Sequence, residues 1–141
     1  MNGSLVTRIR FRVALWCDAR LLPLRISRNA TLDQVLALAR SPRCIRFDAL
    51  SVAYILNRVL KTTRRPIFMR DRPCLRQGIL AYRFMAAAGF NAQLHFGVDR
   101  TTRASSLKAH CWLVHNGQIV LNPPDSTMVP VFTHGAQGAK A

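Results

Sequence analysis

Glutamate is absent from this chain of 141 residues. The acidic complement is six aspartates: Asp18, Asp33, Asp48, Asp71, Asp99 and Asp125. Lysine is scarce as well, with only Lys61, Lys108 and Lys140, so 18 of the 21 cationic residues are arginine and the formal net charge is +15. Apolar residues nevertheless make up 50% of the chain, which excludes a disordered basic tail, since such tails are poor in Leu, Ile, Val and Phe. The length fits one domain, and a domain of roughly 150 residues buries about 70% of its unfolded surface. The charge therefore decorates a domain with a core. A partner could be nucleic acid, an anionic membrane surface or an acidic peptide, and charge does not choose among them.

Other absences narrow the reading. No apolar run approaches the ~20 residues of a membrane span. Near the N-terminus Arg8, Arg10 and Arg12 interrupt Ile9, Phe11 and Val13, which destroys a signal-peptide core and predicts a cytoplasmic protein. Cys17, Cys44, Cys74 and Cys111 form no CxxC pair and match no zinc framework. Three of them, Cys17, Cys44 and Cys111, read as small buried apolar residues. There is no Gly-rich phosphate loop, so no nucleotide site is assigned. Internal repeats are missing too, and residues 134–141 read as a frayed tail.

What is present divides into elements. Residues 6–15 alternate apolar side chains with arginine, the pattern of a strand with a solvated face. Pro23 interrupts the next apolar stretch. Thr31 reads as the N-cap of a helix through Ala39, with Leu32, Val35, Leu36 and Ala39 on one face, ended by Ser41-Pro42. Asp48 reads as the cap of a second helix to Thr62, closed by Arg64-Arg65-Pro66. Asp71-Arg72-Pro73 precedes a third, Cys74 to Ala88, with Gly89 as its left-handed terminator. Residues 90–98 read as a strand, 99–107 as a polar loop, and 108–114 and 118–121 as a hairpin around His115-Asn116-Gly117. Asn122-Pro123-Pro124-Asp125 ends the ladder. Helix, strand, hairpin is the order of an α+β fold with an antiparallel sheet packed on a helix.

One constellation carries chemistry. Cys74 opens a helix, where free N–H groups and the dipole stabilise a thiolate, and Arg72 and Arg76 act in the same direction. Those N–H groups could also hold an oxyanion. Packing is the common role of a lone cysteine, so a base is needed. His110 opens the strand Ala109-His110-Cys111-Trp112-Leu113 and can project toward the helix start as general base. A third group must orient the imidazole. With a three-residue hairpin loop, Val114 pairs with Gln118 and Asn122 faces His110. With the two-residue loop Asn116-Gly117, Pro123 lies opposite and Asp125 becomes the rival. Asn122 is the favoured of the two, and plain turn formation is the competing reading of both.

The runs Pro73-Cys74-Leu75-Arg76-Gln77-Gly78 through Tyr82, Gly89-Phe90-Asn91-Ala92, Phe96-Gly97-Val98, Ala109-His110-Cys111-Trp112-Leu113 and Gly117 to Leu121-Asn122 occur in this order. Together they resemble the transglutaminase-like maturation peptidases of lasso peptide biosynthesis, the bacterial B-type leader peptidases, over roughly residues 66–133. The resemblance implies a papain/transglutaminase-like core at 66–141, forming one compact domain with an N-terminal strand and helical segment at 1–65. It implies a Cys-His-Asp triad with Cys74 as nucleophile and His110 as base. The family reads Leu-Asn-Asp where this chain reads Leu121-Asn122-Pro123, so Asn122 or Asp125 takes the third place. It further implies leader removal from a ribosomally made precursor peptide, a separate leader-recognition protein, and a macrolactam synthetase through which any ATP dependence enters. No cofactor is bound by this chain itself, and no membrane partner is implied.

Two other classes compete. A nucleic-acid binder fits the charge, but the arginines are spread along the chain and no helix-turn-helix, zinc or RNA-binding signature accompanies them. A basic non-catalytic scaffold fits the composition equally and gives Cys74 no role. A cysteine peptidase uses the largest share of the pattern.

Overall fold

The computed structural model describes residues 4–26, 31–39, 47–64, 73–101 and 109–135. Four helices, α1 (Leu5–Arg25), α2 (Leu32–Ala39), α3 (Val52–Thr63) and α4 (Pro73–Ala87), precede four strands, β1 (Ala92–Asp99), β2 (Ala109–His115), β3 (Gln118–Leu121) and β4 (Met128–Gly135). The strands form one antiparallel sheet in the order β3-β2-β1-β4. This is the α+β architecture expected from the element order. Ser41-Pro42, Cys44, Arg65-Pro66, Asp71-Arg72 and most of the polar loop after β1 lie outside the described residues.

The first element corrects the sequence reading. Residues 6–15 are not a strand; they belong to α1, and Pro23 lies inside that helix rather than ending it. The alternation of arginine and apolar residues is local, whereas Phe11, Leu15, Ala19 and Leu22 recur at helical spacing and are all buried. Ser4 caps the helix by accepting the Thr7 N–H at 3.2 Å. Phe11 then meets Phe47 and Phe84 edge-on, at centroid distances of 5.5 and 5.2 Å. A strand would place successive side chains on opposite faces and could not bury this set. An ion pair adds to the contact, with Arg83 Nε 3.3 Å from Asp18 Oδ2.

The other helices follow their caps. Thr31 and Gln34 exchange side-chain bonds with each other's N–H, at 3.4 and 3.1 Å, a capping box at the start of α2. The cap of α3 is Ser51, which accepts from Tyr54 N–H at 3.2 Å, and not Asp48. Ala49 sits between them with φ 71, a left-handed turn that keeps the chain out of the helix until Ser51. Helix α4 begins with proline at its first position, where the missing N–H costs nothing. It ends at Gly89, φ 84, with Phe90 N–H bonded to the Met85 carbonyl at 2.9 Å, a Schellman closure.

Helix α4 is the centre of the molecule. Gly78, Ile79, Leu80, Ala81, Phe84, Met85 and Ala87 are buried, and the helix touches α1, α2, α3, β1 and β2. Leu94, Cys111, Leu113 and Leu121 from the sheet share one core with Phe11, Ile55 and Val59 from the helices. Strand β4 has no counterpart in the sequence reading. It is an exposed edge strand containing Pro130, and an edge is where a residue without an N–H harms the ladder least. His134 belongs to this strand and not to a frayed tail; its ring lies 5.4 Å from that of Tyr82.

Gly78 sets how closely α4 approaches the sheet. A Cβ there would stand 2.8 Å from Cys111 Sγ and 3.0 Å from Leu94 Cδ1. Both neighbours are core side chains with little room to yield. Gly78→Val is expected to cost about 1–3 kcal/mol through overpacking, read as a lower midpoint in urea unfolding with an unchanged slope.

Candidate active site

Cys74 is the second residue of α4 and is half-buried. The first turn of the helix has N–H groups with no intrahelical partner. Its position is fixed from the side: Gln77 Nε2 donates to the Thr63 hydroxyl at 3.1 Å, and that buried hydroxyl donates to the Val59 carbonyl at 2.7 Å. The start of α4 is thus tied to the end of α3. Arg72 lies outside the described residues; Arg76 is partly buried on the first turn.

His110, half-buried on β2, is linked to Cys74 through Asn122. Its Nε2–H donates to the Asn122 carbonyl at 3.0 Å. The Asn122 side-chain amide donates in turn to the Cys74 carbonyl at 3.3 Å. Thiol and imidazole share no direct hydrogen bond. Because Nε2 carries the proton toward Asn122, the Nδ1 lone pair is the basic one. Three of the four residues singled out in the sequence therefore meet here. Asp125 does not join them: it is exposed in the turn before β4, its carbonyl accepts Met128 N–H at 3.0 Å, and neither a hydrogen bond nor an ion pair connects it to His110.

The hairpin has the shorter of the two loops considered in the sequence, but its register differs from both expectations. Its loop is the two-residue Asn116-Gly117, with both residues at positive φ, and His115 pairs with Gln118. A bulge follows. Val114 pairs with Ile119 but Leu113 pairs with Leu121, so the register slips by one. Carried further, that pairing would set Pro124 against His110. Asn122 instead turns out of the strand in the left-handed conformation, φ 51, which asparagine tolerates. The turn aims its carbonyl at His110 and its side chain at Cys74. Asn122 orients the imidazole with backbone, not with its amide.

Two further residues, Trp112 and His95, were assigned no role from the sequence. The structure stacks Trp112 on both His110 and His95. The Trp112 ring lies nearly parallel to His110 and to His95, at centroid distances of 6.2 and 5.7 Å. Gly97 makes room for this, since a Cβ there would stand 2.7 Å from the indole. His95 is held by Gln93 Oε1, to which Nε2–H donates at 3.2 Å, and by the Thr133 hydroxyl, 3.2 Å from Nδ1. The period-two spacing of 110 and 112 was a usable signal for one pair; the strand pairing of His95 with Trp112 was not visible in sequence.

The remaining cysteines differ from expectation in one case. Cys111 is buried as expected, and burial pushes its thiol far above the ordinary range, with nearby Cys74 acting in the same direction. It stays a neutral thiol at physiological pH and is no nucleophile. Cys17 is exposed rather than buried, because α1 is a helix and position 17 falls away from the Phe11 face. Cys44 lies outside the described residues. No group of three or more His, Cys, Asp or Glu side chains among the described residues could hold a metal ion.

A family model described as "Transglutaminase-like superfamily" matches residues 5–133. The chain belongs to the transglutaminase-like superfamily. No curated protein and no solved structure matches it. The transglutaminase-like match begins within α1, so it takes in the N-terminal helices that the motif resemblance over 66–133 left out. The superfamily includes cysteine peptidases, and a four-stranded antiparallel sheet packed on the helix that carries Cys74 agrees with its papain-like core. Among the described residues no helix is long and apolar enough to cross a membrane.

Two outcomes follow from this geometry. Asn122→Gly keeps the left-handed turn and the carbonyl facing His110, and is expected to retain the orientation of the ring. Asn122→Val is strained at φ 51, costing about 1–2 kcal/mol, and is expected to lose it. Imidazole NMR shifts of His110 in the two variants distinguish backbone from side-chain orientation. The second concerns His95, whose burial holds its pKa below the ordinary 6.5. The unfolded chain therefore takes up this proton at a higher pH than the folded one. Stability from His95 is complete above the ordinary histidine range and is lost as pH falls below 6.5 toward the folded value. Urea midpoints of wild type and His95→Gln across that interval are expected to diverge, the variant losing less.

Proposed function

We propose that this protein is a cysteine peptidase that removes the leader peptide from a ribosomally made lasso peptide precursor. The observation that carries the reading is the chain of hydrogen bonds joining Cys74, Asn122 and His110 at the start of α4. His110 Nδ1 takes the proton of the Cys74 thiol, and the sulfur attacks the scissile carbonyl carbon. First-turn N–H groups of α4 stabilise the oxyanion. The C–N bond breaks as His110 returns its proton to the leaving amine, leaving a thioester. Water then attacks the thioester, with His110 taking its proton, and the thiol is restored. The gap between thiol and imidazole closes with substrate in place, as catalytic hydrogen bonds commonly tighten on binding.

The lasso assignment rests on the ordered motifs from Pro73 to Asn122. In that assembly a separate leader-recognition protein presents the precursor, and a macrolactam synthetase, which uses the ATP, closes the ring after the leader leaves. The departure at Pro123 is accommodated because an orienting carbonyl does not require an acidic side chain. Cys74→Ala is expected to lower leader release by about a thousandfold or more, followed by mass spectrometry in a mixture of precursor, recognition protein and synthetase. Undiminished release by that variant would sink the peptidase reading in favour of a scaffold. Cys17→Ala, at an exposed cysteine away from the site, serves as the control and is expected to keep activity.

A further inference from the structure

Helix α1 carries two apolar faces. Phe11, Leu15, Ala19 and Leu22 fill the core. On the outer side Val6, Ile9, Val13 and Trp16 are exposed at 64, 50, 58 and 47%. A surface helix ordinarily turns polar residues outward, and this one also exposes apolar residues there, Leu5, Leu21 and Leu24 included. The four outer residues follow one another at spacings of three, four and three, the a and d positions of a heptad. In that frame Arg10 and Arg12 take e and g positions on either side, and both are exposed. Arg20 continues the line, its guanidinium 3.8 Å from the centre of the Trp16 ring.

We propose that this seam docks an acidic amphipathic helix of another protein, its apolar stripe on Val6, Ile9, Val13 and Trp16 and its carboxylates on Arg10 and Arg12. The 3-4 spacing fits another helix, whose own a and d side chains would interdigitate with it. The rims select its charge, since e and g positions pair with opposite charges across a helix interface. A second copy of this chain is a poor occupant. It contains no glutamate, the one aspartate of α1 is engaged with Arg83, and self-pairing would bring arginine toward arginine. A lipid surface calls for an unbroken apolar face; that of α1 also exposes Leu5, Leu21 and Leu24, but Arg10, Arg12 and Arg20 interrupt it. The docking is independent of Cys74 chemistry.

The test uses the full chain and two synthetic helical peptides with leucine at a and d, one with glutamate and one with lysine at e and g. Fluorescence anisotropy of labelled peptide is expected to show the glutamate peptide binding at least about tenfold more tightly than its lysine twin, with affinity falling as salt rises. Val13→Asp is expected to abolish this binding while circular dichroism and thermal unfolding remain as in wild type, since position 13 is outside the core. Arg10→Glu/Arg12→Glu is expected to invert the preference between the peptides. Four results would overturn the proposal: no binding of either peptide, equal binding of both, partition onto phosphatidylglycerol vesicles without binding of the glutamate peptide, or a concentration-dependent dimer that Val13→Asp abolishes.

Discussion

The close approach of α4 to the sheet at Gly78 is the constraint on which the rest depends. Only a residue without a Cβ lets the helix come down on Cys111 and Leu94. One turn earlier on the same helix stands Cys74, and one residue earlier on the same strand stands His110. Fixing Gly78 against Cys111 therefore fixes the start of the helix beside the start of the strand. Close-packed interiors transmit such placement with little slack. The tie from Gln77 to Thr63 holds the same helix end from the opposite side.

Within that frame Asn122 joins the halves of the site. It leaves the sheet in a left-handed turn, and the turn gives its two polar groups different partners. The carbonyl holds the imidazole and the amide holds the backbone of Cys74. A carbonyl accepts one proton and leaves the Nδ1 lone pair unprotonated, the same tautomer an acidic orienter would select. The histidine is thus held in place although proline, not aspartate, follows Asn122. The stack of His110, Trp112 and His95 adds lateral support, and the absence of a side chain at Gly97 is its steric condition.

The arginine-rich surface has a role separate from the chemistry. The site itself is built from thiol, imidazole and amide groups, none of which needs the +15 charge. On α1 arginines border an apolar seam that points outward. Charge at the rim of an apolar stripe sets which partner docks and how fast, more than how tightly. The composition by itself left nucleic acid, an anionic membrane surface and an acidic peptide open, and this seam fits the last of these.

Much of the site was legible in sequence. Cys74 at a helix start, His110 at a strand start and Asn122 beyond a hairpin all rest on local signals: Pro73, the apolar alternation of the strand, and Asn116-Gly117. Helices α2 and α4, strands β1 to β3 and the α+β class follow from such signals too, because capping and turn chemistry act within a few residues. Other features were decided only in three dimensions. Residues 6–15 carry two periodicities at once, and burial of Phe11 against Phe47 and Phe84 selected the helical one. Strand β4 exists because β1 had an edge to offer, a partner more than 25 residues away in the chain. The bulge that slipped the hairpin register, and the choice of carbonyl over side chain at Asn122, come from fitting β3 to β2 beneath α4. Local sequence determines which conformations are cheap for each segment; contacts between distant segments determine which of them buries the most apolar surface.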